Sequence, residues 1–338
     1  MQLLRQSSTV GGDDIRAQVS RYRSLHDESS GGGLGARRTQ YRAMVQDYYD
    51  LVTEFYERGW GESFHFAPRH RRESFEASIA RHQHFLASRL RLAAGMRVLD
   101  VGCGVGGPMR SIARFTGAHV VGVNISAMQV QKAVAYAARD GLADRCELLE
   151  ADFTRMPVAA ASFDAAYAFE ATCHAPDKAA LFAEVRRVLR PGAEFALYEW
   201  CLTHRYDPTD ADHQRIKQAV EEGDGLPDIW TITATLDAAR DAGFELVEHE
   251  DRAATCDHET PWYLPLTGRE RSVIGLRRSI IGQRVLAVTI RAMQALGAAP
   301  RGTLETLRLL NAGADALIAA GETGIFTPMF YVRLRKPK

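Results

Sequence analysis

The run Arg97-Val98-Leu99-Asp100-Val101-Gly102-Cys103-Gly104-Val105-Gly106-Gly107 constrains the fold more than any other stretch of the chain. Its first half is short and almost wholly apolar, which suits a strand buried on both faces better than one with a wet side. Its second half is rich in glycine, so the backbone can turn tightly and approach a ligand before a helix begins near Pro108. Similar apolar runs at 119–125, 146–152, 163–169 and 194–200 alternate with helical patterns at 108–116, 127–140 and 178–189. This β-α-β rhythm predicts an α/β fold, a parallel sheet with helices on both faces. Ligands in such folds sit beyond the carboxyl ends of the strands, so the residues that follow each run carry the functional weight.

Composition removes several classes of function. The chain has 338 residues, 46% hydrophobic and 25% charged, as expected of a globular protein with a sizeable core. Lysine plus arginine number 42 and aspartate plus glutamate 42, so no global field draws in nucleic acid. The cysteines (Cys103, Cys146, Cys173, Cys201, Cys256) are odd in number, and no two form a C-x-x-C pair. That argues against a disulfide framework or a zinc site and for a reducing, cytoplasmic setting. No apolar stretch is long enough to span a bilayer, and the first 30 residues lack a signal peptide's apolar core. Residues 1–40, rich in Gly, Ser, Arg and Asp, are expected to be a flexible tail.

Glycines 102, 104 and 107 fit a dinucleotide loop as well as the G-x-G-x-G of methyltransferases, with a plain tight turn as the bland alternative. The next strands separate the two ligand readings. Where a dinucleotide fold carries a ribose-binding carboxylate, Asn124 stands, and Ala151-Asp152-Phe153 offers a carboxylate and a ring to a base. Asp152 can equally cap a turn and Phe153 fill core.

Leu99-Asp100-Val101-Gly102-Cys103-Gly104, Ala151-Asp152-Phe153 and Leu189-Arg190-Pro191-Gly192 together resemble class I S-adenosylmethionine-dependent methyltransferases. Tyr56-Glu57-Arg58-Gly59-Trp60-Gly61, Phe64-His65-Phe66, Glu170-Ala171-Thr172-Cys173-His174-Ala175-Pro176, Tyr198-Glu199-Trp200, Gly223-Asp224-Gly225-Leu226-Pro227 and Pro261-Trp262-Tyr263-Leu264-Pro265-Leu266-Thr267-Gly268 narrow the resemblance to the sterol 24-C-methyltransferases. The likeness covers residues 41–337. It implies a Rossmann-like, seven-stranded, mostly parallel sheet, S-adenosylmethionine as methyl donor with S-adenosylhomocysteine as product, and a Δ24 sterol as acceptor. Residues 41–90 would then cap the substrate, 91–253 bind the donor, and 254–338 form the family's C-terminal region. Two departures stand out: Asn124 replaces the superfamily's usual acid, and Ala193 stands where Pro-Gly-Gly is common.

The implied reaction needs neither a metal nor a base to start, because its nucleophile is an alkene with no proton to lose. The site must position that alkene and stabilise the cation left at C25; only the final deprotonation needs a base. Glu170 and His174, after the fourth strand, are the leading polar pair, and Glu199 is the alternative base. Donor contacts are expected from Tyr49, Asp100, Gly102, Cys103, Gly104, Asn124, Gln129, Asp152 and Phe153. Aromatic faces attract cations without trapping them, so Tyr56, Trp60, Phe64, Phe66, Tyr198 and Trp200 are expected to line the sterol channel, core packing being the alternative for each.

The strand patterns at 243–248 and 328–334 are far apart for the hairpin expected of the last two strands, which predicts an inserted, mainly helical segment over 269–320. Its portion 269–291 carries Arg269, Arg271, Arg277, Arg278, Arg284 and Arg291 against Glu270, interleaved with aliphatic residues. That pattern suits either contact with an anionic membrane surface, on the endoplasmic reticulum in a eukaryote, or a helix packed on the domain with a solvated arginine face. Two rival functions remain at this point: methyl transfer to a phenol or amine of the tocopherol or phosphobase type, and sterol binding without catalysis.

Overall fold

A computed structural model describes residues 12–269 and 279–338. The chain opens with helices α1 (Gly12–Ser24), α2 (Leu34–Thr39), α3 (Tyr41–Gly59) and α4 (Phe75–Arg89). It then enters the sheet through β1 (Arg97–Val101), α5 (Gly107–Thr116), β2 (His119–Asn124), α6 (Ala127–Arg139), β3 (Cys146–Glu150), β4 (Phe163–Phe169), α7 (Lys178–Val188) and β5 (Leu189–Leu202). Helices α8 (Ala211–Asp224) and α9 (Ile232–Asp241) lead to β6 (Glu245–Asp251), and α10 (Ile280–Ala295) and α11 (Thr303–Thr323) lead to the last strand, β7 (Phe326–Arg335).

The strand order is β3-β2-β1-β4-β5-β7-β6, with β7 antiparallel to both neighbours. β1 is central, and Val98, Leu99 and Val101 are fully buried between helix layers, which is why its sequence does not alternate. Strand order reverses between β1 and β4, and the crevice beyond their carboxyl ends is where this fold class receives ligands. The predicted insertion is present as α10 and α11 between the last two strands, while residues 270–278, with Arg271, Arg277 and Arg278, lie outside the described residues. Among the described residues no helix is long and apolar enough to cross a membrane.

The tail expected through residue 40 is ordered from Gly12 onward; its first part, 1–11, lies outside the described residues. Ile15, Val19 and Tyr22 recur at helical spacing, and Val19 and Tyr22 bury in a cluster with Met44, Tyr48, Val52 and Leu309. A stripe of three apolar residues within a polar stretch suffices when a partner surface is waiting. Farther on, buried Arg37 donates to the Pro227 carbonyl at 2.9 Å and pairs with Glu221 at 3.1 Å, fastening α2 to α8.

Helices α8 and α11 cross where glycine faces glycine. A Cβ on Gly223 would stand 2.2 Å from the Gly313 Cα, and one on Gly313 would stand 2.9 Å from the Gly223 Cα. Gly313→Ala is therefore expected to push the helices apart and lower stability by about 1–3 kcal/mol, as overpacking does. Urea unfolding checks this; an unchanged midpoint would mean that the crossing is loose.

Candidate active site

The nine residues expected to contact the donor all line one small cavity beyond β1, β2 and β4: Tyr49, Asp100, Gly102, Cys103, Gly104, Asn124, Gln129, Asp152 and Phe153. Gly102 and Gly104 hold φ of 81° and 54°, the left-handed region that favours glycine. A side chain on Gly102 would also meet the Ala171 Cβ at 2.4 Å. The glycine that opens helix α5 serves a different contact, since a Cβ on Gly107 would lie 1.9 Å from the Glu62 carbonyl oxygen. The loop is thus built to receive both a ligand and the segment that follows α3.

The donor set fits S-adenosylmethionine in specific ways. Asp100 is buried, with the Tyr167 hydroxyl close enough to act on its carboxyl but no well-formed hydrogen bond to Oδ2, and burial pushes the carboxyl up to about 7; an ammonium group is a partner such an oxygen lacks. Asp152 accepts from Thr154 N at 2.8 Å, from Arg42 Nε at 2.6 Å, and from the Tyr41 hydroxyl. Its second oxygen is therefore held by α3, a contact that sequence reasoning did not foresee because the partners lie far apart in the chain. Asn124 and Gln129 are bonded to each other at 2.7 Å, and Gln129 Nε2 donates to Thr53 Oγ1 at 2.9 Å. They tie β2 and α6 to α3 while both line the small cavity. Cys103 turns into the core, its sulfur packed beneath Gly122.

The polar pair lies at the end of β4. Glu170 has φ 51°, a strained value for a residue with a side chain. Its carboxylate accepts from Phe66 N at 2.8 Å and from Trp200 Nε1 at 2.8 Å, while burial pushes it up to about 8. His174 Nδ1 meets the Gly225 carbonyl at 3.0 Å, which requires the proton on Nδ1 and leaves Nε2 as an acceptor. The Tyr49 hydroxyl, 2.7 Å from that Nε2, is then the donor. Burial lowers His174 to about 4, so the ring is neutral.

Two expected residues are elsewhere. Glu199 points to the opposite face of β5, where Oε2 pairs with Lys178 at 2.8 Å and accepts from Thr172 Oγ1 at 2.6 Å; it lines neither cavity. Strand alternation separates it from Trp200. Tyr198 shares Trp200's face but lies two residues deeper, stacked on His82 with ring centroids 3.7 Å apart. Tyr198, like Glu199, lines neither cavity.

Beside the small cavity opens a second one of about 3060 Å³, walled by α3, α10 and α11. Tyr56, Trp60, Phe64, Phe66 and Trp200 line it, as expected of the channel, together with Leu286, Ile290, Met293, Leu307 and Leu310 from the insertion. The rings hold each other edge to face: Tyr56 to Phe64 at 5.3 Å and Trp60 to Phe66 at 5.1 Å between centroids. Tyr49, Phe64, His65, Glu170 and His174 line both cavities and form the wall between them. Asp224, which sequence reasoning quoted only within a motif, also faces the large cavity.

Comparison with known proteins agrees with this geometry. A methyltransferase domain model matches residues 99–197, and a sterol methyltransferase C-terminal model matches 273–338. Cycloartenol-C-24-methyltransferase 1 of Oryza sativa subsp. japonica is 44% identical over 98% of this chain and 96% of its own length. Sterol 24-C-methyltransferase of Saccharomyces cerevisiae is 42% identical over 89% of this chain and 80% of its own. Among solved structures, geranyl diphosphate C-methyltransferase from Streptomyces coelicolor, crystallised with S-adenosylhomocysteine, superposes with a TM-score of 0.63 at 18% identity, covering 88% of this chain and 98% of that one.

The Glu199 geometry makes a direct prediction. Lys178→Met alone leaves a buried carboxylate without its countercharge and is expected to cost about 3–5 kcal/mol in urea unfolding. Glu199→Gln alone keeps an oxygen for Lys178 and Thr172, so the turn stays pinned and most of the turnover should remain. Loss of turnover in a stably folded Glu199→Gln variant would return Glu199 to the chemistry.

Proposed function

The chain belongs to the sterol 24-C-methyltransferases, and from that membership we propose how its cavities divide the work: the small one holds S-adenosylmethionine and the large one admits the side chain of a Δ24 sterol. The shared wall carries this reading, because Tyr49, Phe64, His65, Glu170 and His174 border both spaces, and there a methyl group would cross from one to the other. When bound, S-adenosylmethionine supplies an electrophilic methyl group. Asp100, Asp152, Gly102 and Gly104 would hold it, with Phe153 against the base.

The wall positions the C24–C25 double bond and keeps water away from the cation that forms at C25. Phe64 and Tyr56 present aromatic faces, each worth roughly 0.5–2 kcal/mol to a desolvated cation. Glu170 fixes the backbone of Phe66 and the indole of Trp200, setting the far side of the channel. A hydride shift from C24 to C25, followed by loss of a proton from the new methyl group, gives a 24-methylene side chain. Tyr49 serves that last step in this reading, supported by its hydrogen bond to His174: its oxygen takes the proton while its own hydroxyl proton moves to His174 Nε2. The C–H electron pair becomes the new double bond. A base as weak as this histidine suffices, because a proton beside a carbocation is strongly acidic.

Helix α10 supports a membrane approach. Val288 is 61% exposed, beside exposed Arg284 and Arg291, while Val285 and Leu296, 60% and 83% exposed, line the large cavity with Leu286 and Ile290, so an apolar rim of the cavity opens to solvent. The sequence from 279 to 302 contains no acidic residue. An anionic lipid surface matches both the apolar face and the charge, and it would deliver a sterol directly to the cavity.

Incubation of the purified protein with methyl-labelled S-adenosylmethionine should place label at C24 of a Δ24 sterol; label only in phenol or amine acceptors would overturn the function. Tyr49→Phe keeps the ring and is expected to lower turnover by roughly 10²-fold, read as kcat at saturating sterol; unchanged kcat would move the base to Glu170. Arg284→Glu with Arg291→Glu should weaken sedimentation with anionic liposomes and leave donor binding intact, and unchanged sedimentation would remove the membrane approach.

A further inference from the structure

Helix α8 ends against the shared wall, and its last carbonyls are gripped one by one. The Tyr22 hydroxyl donates to the Glu222 carbonyl, Tyr48 Oη donates to the Gly223 carbonyl at 3.0 Å, and His174 Nδ1 donates to the Gly225 carbonyl at 3.0 Å. Among them Asp224 is 9% exposed and faces the large cavity, with Oδ2 buried and without any partner. A buried carboxyl left unpaired is costly, and the fold makes no use of this one. Burial alone pushes it up to about 8.

The groups that face it bring no countercharge of their own. Tyr22 on α1, Tyr48, Tyr49 and Tyr56 on α3, and Cys173 after β4 are all held above their ordinary values by burial, hence neutral. His174 is neutral as well, and Glu222 on the same helix lies toward solvent beside Arg23 at 4.0 Å. The carboxyl is thus mostly protonated at neutral pH and would ionise when a cation comes next to it. The carbonyl end of a helix adds partial negative charge in the same direction.

We propose that Asp224, together with the C-terminal end of α8, supplies the negative charge that stabilises the C25 cation. The inference rests on the sterol reading and adds a residue to it. Its place in the site selects this role over recognition of the sterol's ring hydroxyl: the neighbouring Gly225 carbonyl holds His174, on the wall where the methyl group crosses, and the ring hydroxyl lies at the opposite end of the substrate. Glu170 is less available for the task, since both its oxygens already accept hydrogen bonds.

The test uses a sterol in which a tertiary amine, cationic at neutral pH, replaces C25, compared with its neutral carbon analogue, both titrated calorimetrically into the full chain with S-adenosylhomocysteine. The wild type should prefer the amine by about 10²-fold or more, as sites built for a transition state do. Titration in buffers of different ionisation enthalpy at pH 7 should show release of close to one proton, because the carboxyl is protonated before the cation arrives and ionised afterwards. Asp224→Asn should cut the preference at least about tenfold, abolish the proton release and leave affinity for the neutral sterol within about twofold. Preference and release that persist in Asp224→Asn would overturn the proposal, as would absence of release in the wild type, which needs no variant. Failure of the wild type to bind the neutral carbon analogue would instead count against the sterol reading.

Discussion

The Lys178–Glu199 ion pair, almost wholly shielded from water beneath the end of β4, is the contact on which the site depends. Lys178 also donates to the Thr172 carbonyl at 2.7 Å, and the Thr172 hydroxyl donates back to Glu199, so the turn at 170–175 is pinned from below. That turn carries Glu170 and His174 upward into the wall between the cavities. Glu170 then holds the aromatic segment and Trp200, and His174 holds Tyr49 and the end of α8. A buried pair of this kind adds little net stability over an apolar substitute. Its contribution is one conformation for a strained turn, on which each functional side chain is placed.

The remaining architecture brings two dissimilar spaces together at that turn. The crevice beyond β1 and β4 comes with the strand order. The large cavity is made by elements outside the sheet: α3 from one side, α10 and α11 from the other, and the glycine crossing of α8 and α11 that lets them pack closely. An alkene needs no activating base, so a wall of rings and a few neutral hydrogen-bonded groups suits its reaction better than a row of strong nucleophiles.

Much of this was legible in the chain. Alternating apolar and helical runs located β1 to β5 and their helices, and the distance between the last two strand patterns revealed the insertion. Eight of the donor residues converged on one cavity because they lie at or soon after the ends of β1, β2 and β3, and the ends of parallel strands share one edge of the sheet; Tyr49 reaches the cavity from α3. What escaped notice depended on tertiary partners. The stripe Ile15, Val19, Tyr22 is too sparse to call a helix until α3 and α11 cover it. Strand parity could have separated Glu199 from Trp200, but the depth of Tyr198 below the rim depends on where β5 ends. Asp224 reads as an ordinary helix-terminal acid, and only the fold shows it buried beside a cavity.

The central claim is that the wall directs a methyl group to C24 and leaves a cation at C25, and isotope position in the product tests it most directly. With a Δ24 sterol deuterated at C24, the account predicts deuterium at C25 of a 24-methylene product, identified by nuclear magnetic resonance of the purified sterol. Deuterium that stays at C24, or appears at neither carbon, would contradict the cation and the hydride shift on which the proposed roles of the wall depend.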